Sequence, residues 1–193
     1  MPGGAASEIA PSTPTIGAEI NGIDLDRPLS DGEAEIVRDA WLAHKVIFFR
    51  DQDISYESHV RLGRLFGELE GHPVIPSVEG WPEVLIIRGV EGVALTPETV
   101  EPFKAFNKWH TDVTFRQRPS IASILRMRLM PALGGDTIWA DAAAAYAGLP
   151  DGVKERIADL DAEHDIVRSF GGAGERGEES AARARFPPRS AIR

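Results

Sequence analysis

The sequence predicts a β-rich α+β fold, with a jelly-roll core and helices packed outside it. Three observations predict this. Short apolar or alternating runs such as TIGAEINGIDL, VIFFR, EVLIIRG and ASILRMRL have strand length. Long, irregular Gly- and Pro-containing connections separate them, which suits a jelly roll better than a doubly wound sheet. The amphipathic segments carry their own cap signals and stand apart from the strands. About five candidate strands compare with about eight in a closed double-sheet jelly roll, so the core is expected to be incomplete within this chain.

Residues 1–13 are small, polar and proline-punctuated, and read as a flexible leader. One domain is expected over 14–170. TIGAEINGIDL opens it as a strand bounded by glycines. Ser30 and Glu33 have capping-box spacing, and Ile36, Val37, Ala40 and Trp41 recur on one helical face. VIFFR (46–50) is a short strand, and Ser55 caps a second helix running through Leu65 and Phe66 to Gly67. GHPVIPSVEGWP is a proline-rich loop, EVLIIRG a strand, and GVALTPETVEPFKAF a long connection. NKWHTDVTF (107–115) reads as strand, as does ASILRMRL. GGDTIWAD gives a turn and a short strand, with Asp141 capping AAAAYAGL. A third amphipathic helix spans roughly 151–161. Residues 171–193 are rich in Gly, Glu and Arg with little to bury, and read as a mobile lid-like loop or tail.

The bulk properties narrow the function. A chain of 193 residues that is 42% hydrophobic and 26% charged can bury a core. The net charge of −9 opposes nucleic-acid binding, since phosphates would be repelled. Without cysteine there is no disulfide, thiolate nucleophile or sulfur-ligated metal, so any metal falls to His, Asp or Glu. No apolar stretch has transmembrane length, and the N-terminus lacks signal-peptide features, which points to a cytoplasmic protein without a membrane partner.

The sharpest chemical signal is His110-x-Asp112. On a strand, residues two apart share a face, so the imidazole and carboxylate would converge on one point. Such a pair plus a distant histidine makes the 2-His-1-carboxylate triad of non-haem iron sites, which leaves positions open for co-substrate and dioxygen. On spacing alone, an ordinary surface His-x-Asp pair is the commoner explanation. Taken alone, Thr137 reads as an ordinary β-branched strand residue and His72 as a loop histidine. His164 reads as structural, hydrogen-bonded near a helix end, and Trp109 as a packing wedge beside the ligand pair. His44 and His59 receive no role. Residues 172–177, GAGERG, match GxGxxG but follow no βαβ pattern and read as loop. No HExxH motif supports a hydrolytic zinc site.

Taken together, IGAEINGIDLDRPLSD, HKVIFFRDQ, FGELEGHPVIP, WHTDVTF, GGDTIWADAAAAYAGLP and AEHDIVRSF resemble the TauD/TfdA family of taurine dioxygenase-like enzymes. These are iron(II)- and 2-oxoglutarate-dependent dioxygenases with a double-stranded β-helix core. The resemblance runs in order through Phe170. It implies that His110 and Asp112 are iron ligands and that the Thr137 hydroxyl bonds a carboxylate of 2-oxoglutarate. It further implies that His72 meets the substrate's anionic head group while Val113 and Phe170 line the pocket. The implied cofactors are Fe(II), 2-oxoglutarate and O2; the implied partner is a small organic anion, with self-association left open.

The chain departs from members that act on taurine at two pocket positions. Ile75 replaces a tyrosine and Phe106 replaces an asparagine, exchanging hydrogen-bond donors for apolar surface. A larger or more apolar anion follows: an alkyl sulfonate, sulfate ester or carboxylate. The family's third ligand, a histidine, and its 2-oxoglutarate-clamping arginine lie in its last third and find no match here. Ala191-Ile192-Arg193 can be encoded so that a shifted frame reads His-Pro, which makes a frameshift or early stop one reading of this end. Little activity is then expected from this chain alone. The competing expectation is a truncated, non-catalytic relic that binds metal weakly or associates with a partner chain.

Overall fold

The computed structural model describes residues 7–72, 76–87, 109–130, 132–133, 136–165, 184–185, 187 and 189–190. It divides into two compact units, Met1–Ile86 with Ile124–Lys154, and Ile87–Ser123 with Glu155–Arg193.

The first unit is built on a three-stranded sheet in the order β1 (Glu8–Pro11), β2 (Ala18–Asn21), β3 (Ile47–Phe48). β1 runs antiparallel to β2, with Ile9 opposite Ile20. β2 and β3 are parallel, with Ala18 opposite Ile47, and the crossover between them carries α1 (Asp31–His44). β1 falls inside the stretch expected as a flexible leader. Its strand character comes from the ladder to β2, a long-range pairing that its small, proline-bounded residues do not announce.

The capping box of α1 is formed in both directions. Ser30 Oγ accepts from Glu33 N at 3.3 Å, and Ser30 N donates to Glu33 Oε2 at 2.9 Å. Two of the four orphan N–H groups at the helix start are thereby engaged. Arg27 adds an ion pair to the same carboxylate. With these donors on it, Arg27 foremost and then Ser30, the Glu33 carboxyl is held down to about 2. Val37 and Ala40 turn inward onto a core of Ile20, Ile23, Leu25, Ile54 and Leu62.

α2 (Tyr56–Arg64) starts at Ser55, whose side chain accepts from Ser58 N at 3.0 Å. Its buried residues include Val60 and Leu62. Trp41 of α1 meets Phe66 edge-on at 5.2 Å, and Arg38 donates to Leu65 O at 3.0 Å, so the end of the second helical segment is clamped to the first. A hairpin follows, β4 (Ser77–Val78) and β5 (Trp81–Leu85), turning at Gly80 with φ of 78°. β5 begins two residues before the expected strand EVLIIRG and stops at Leu85.

α3 (Ala142–Ala147) is capped by Asp141, which accepts from the N–H groups of Ala143 and Ala144. α4 (Asp151–Ile157) is shorter than the expected 151–161 and buries no residue, so its apolar stripe gains little from extending further. In the second unit, β6 (Glu163–His164) pairs antiparallel with β7 (Arg189–Ser190). That pairing lies partly within the stretch expected as a mobile tail. Among the described residues no helix is long and apolar enough to cross a membrane.

Three expected strands are not formed. Residues 109–115, 122–129 and 136–140 carry no strand pairing. Their β-branched and aromatic content is real, but a strand exists only when a neighbour satisfies its backbone, and none lies alongside among the described residues. The side chains report the same fact: Leu125, Leu129 and Ile138 are 53%, 84% and 68% exposed. The described strands form three separate sheets, a mixed one of three strands and two antiparallel pairs.

Candidate active site

His110 and Asp112 do come together, but not by the expected route. The strand face predicted to align them is replaced by a turn over Asp112–Phe115, closed by Arg116 N donating to Val113 O at 2.9 Å. Val113 at its centre has φ of 47°, a left-handed conformation unusual for a β-branched residue. The turn places His110 Nε2 3.4 Å from Asp112 Oδ1, with both side chains well exposed. Phe115, at the end of the turn, is buried and anchors it.

Two further contacts brace this turn. Ser123 Oγ donates to Asp112 Oδ2 at 3.0 Å, and His164 Nδ1 lies 2.8 Å from Thr114 Oγ1. The structural role expected of His164 is thus a bond made from β6 rather than from a helix end. Trp109, expected as a packing wedge, is 69% exposed. The strand it was expected to wedge does not form over residues 109–115. Ser123 was not singled out in the sequence; a lone hydroxyl within the apolar run IASIL was the available signal.

Thr137 lies in the first unit, exposed and outside regular structure. Its segment is held within that unit. Trp139 meets Phe48 of β3 edge-on at 5.3 Å, and Asp141 pairs with Lys45 at 2.8 Å. The Lys45 ammonium, with the helix N–H groups, holds the Asp141 carboxyl below the usual carboxylate range. His72 is half-buried, also in the first unit. Ile75, Phe106, Phe170 and the run 172–177 lie outside the described residues. Among the described residues no third His, Asp or Glu joins a cluster with His110 and Asp112.

The pair suits a divalent first-row metal. An imidazole nitrogen and a carboxylate oxygen are borderline and hard donors, as such ions prefer. Adjacent ligands bonded at about 2.1 Å in octahedral geometry are about 3.0 Å apart, so the observed separation needs only a small closure.

The model of the taurine catabolism dioxygenase TauD, TfdA family matches residues 8–191. The chain belongs to the TauD/TfdA family. Among curated relatives, it is 39% identical to the alpha-ketoglutarate-dependent sulfate ester dioxygenase of Pseudomonas putida, over 81% of this chain and 49% of the relative. A taurine dioxygenase from Burkholderia xenovorans, solved as a crystal structure, superposes with a TM-score of 0.68 at 37% identity, covering 84% of this chain and 54% of its own. AAD-2, solved with Mn(II) and N-oxalylglycine, gives a TM-score of 0.71 at 29% identity over 95% of this chain and 62% of its own. The chain thus spans about half the length of the first curated relatives it matches. The TauD/TfdA resemblance read from WHTDVTF and GGDT is borne out, and it extends over nearly all of the chain.

Proposed function

We propose that this chain carries the metal and co-substrate residues of an Fe(II)- and 2-oxoglutarate-dependent dioxygenase that hydroxylates a small organic anion. Alkyl sulfonates, sulfate esters and carboxylates are the candidate classes. The similarity to a relative named for sulfate esters supports that class among them. In this reading residues 14–170 belong to one jelly-roll dioxygenase domain, residues 171–193 to a lid-like segment, and the enzyme works in the cytoplasm. The observation that carries the reading is the convergence of His110 Nε2 and Asp112 Oδ1 at 3.4 Å in a TauD/TfdA chain.

Iron(II), 2-oxoglutarate and dioxygen, when bound, supply the oxidant that hydroxylates a substrate carbon, with succinate and carbon dioxide as co-products. The protein's own residues do the rest. His110 offers the Nε2 lone pair, which requires the neutral ring with its proton on Nδ1. Asp112 offers Oδ1 in its ionised form. The Thr137 hydroxyl donates to a carboxylate of 2-oxoglutarate and orients it. His72 meets the anionic head of the substrate, and Val113, Phe170, Ile75 and Phe106 form apolar walls that exclude water and disfavour a small zwitterion.

The test is Mn2+ titration of the full chain, together with succinate formation from 2-oxoglutarate, Fe(II) and an alkyl sulfate. Binding by the wild type, weakened at least about tenfold in both His110→Ala and Asp112→Ala, is the expected result. Binding unchanged in both variants overturns the reading. Equal turnover of taurine and a long-chain sulfonate or sulfate ester would reject the apolar pocket.

A second reading, a non-catalytic chain that binds metal weakly or acts with a partner chain, is favoured by one observation. Leu125, Met127, Leu129, Met130 and Leu133 are each more than half exposed, which suits burial against further polypeptide. Succinate production by the chain alone decides between the two readings.

A further inference from the structure

We propose that Ser123 is a positioning residue for Asp112, selecting which carboxylate oxygen is offered to a divalent metal. The inference rests on the metal reading above and adds a residue to it. A carboxylate has two equivalent oxygens and a broad terminal torsion, so on an exposed turn it presents either one. Here the two are distinguished. Oδ1 faces His110 Nε2 at 3.4 Å, while Oδ2 accepts the Ser123 hydroxyl at 3.0 Å. An ionised carboxylate can only accept, so Ser123 must be the donor, and the bond is charge-assisted. With Oδ2 occupied, Oδ1 is left beside the imidazole nitrogen on the side where a metal would sit.

The backbone beneath is tied from the other side of Val113, where Thr114 is held by His164 at 2.8 Å. Rotation of the Asp112 side chain is therefore the freedom that remains, and Ser123 is placed to remove it. Outer-shell partners of this kind orient a ligand before the metal arrives and raise affinity by sparing the cost of ordering it.

Mn2+ titration of the full chain, followed by electron paramagnetic resonance of the free ion, tests this. The variants Ser123→Thr and Ser123→Val have nearly the same shape and differ in the hydroxyl. Affinity is expected to stay within about twofold of wild type in the Thr variant and to fall about tenfold in the Val variant, the lower end of outer-shell effects. The Val substitution should have no further effect in an Asp112→Ala background, a coupling that a merely structural role for Ser123 would not produce. Equal affinity in the Thr and Val variants, with the wild type binding, overturns this inference and leaves the proposed function standing. Failure of the wild type itself to bind Mn2+ overturns both.

Discussion

Replacing Ser30 with alanine removes one half of the capping box of α1. The geometry sets the size of the loss. The Ser30 Oγ bond to Glu33 N is 3.3 Å, toward the long end for N–H···O, whereas the Glu33 Oε2 bond to Ser30 N at 2.9 Å uses backbone and survives the substitution. The Oγ–Oε2 contact at 2.8 Å is lost with the hydroxyl, while the Arg27 pair remains. We therefore expect about 1 kcal/mol, the middle of the 0.5–2 kcal/mol range for N-cap serine to alanine. With a urea m-value of about 2 kcal/mol/M, the midpoint should fall by about 0.5 M. The same variant should raise the Glu33 pKa from about 2 toward its ordinary 4.5, because Ser30 is one of the donors that lower it. The sign follows. A depressed carboxyl stabilises the fold fully above its unfolded pKa, and that contribution is lost as pH falls through the folded value. The wild type should lose it between about pH 4.5 and about pH 2, and Ser30→Ala over a narrower interval nearer 4.5. Urea melts at pH 7 and an acid titration followed by circular dichroism measure both. A midpoint that does not move, or one that falls by more than about 1.5 M, would refute the reasoning, since the first denies the cap and the second denies that Arg27 and the backbone bond hold the rest.

Three further outcomes are expected. A methyl group at Gly71 would stand 2.8 Å from Pro82 O, a backbone atom in β5 that cannot step aside. Gly71→Ala should cost about 1–3 kcal/mol in a thermal melt. Gly63→Ala meets only the flexible end of Leu69, at 2.9 Å, and lies within a helix, so it should come out near neutral. His59 is pushed below the ordinary histidine pKa by burial, with its Nε2 at 3.1 Å from Ile124 O. The unfolded chain therefore takes up a proton first, and stability should decline as pH falls below about 6.5 toward the lowered folded value. A His59→Gln variant should flatten that part of the curve; an unchanged slope would remove His59 as its source.

Much of this protein was legible in its residues because the deciding partners sit within one helical turn. Ser30 with Glu33, Ser55 with Ser58, and Asp141 with Ala143 and Ala144 satisfy helix-start donors locally, so spacing alone locates the starts of α1, α2 and α3. The family was legible for a related reason: His110, Asp112 and Thr137 sit in runs whose wording is specific. What only the tertiary structure decided concerns groups whose partners are far along the chain. Glu8–Pro11 became a strand through β2, and residues 122–129 did not become one, because a ladder needs a neighbour that no local pattern supplies. His110 and Asp112 were expected to converge by strand alternation and instead converge on a turn. The brace on that turn is tertiary too. Ser123 stands 11 residues from Asp112, and His164 stands 50 from Thr114. A residue's type says which bonds it can make; the folded chain decides which partner is within three ångströms.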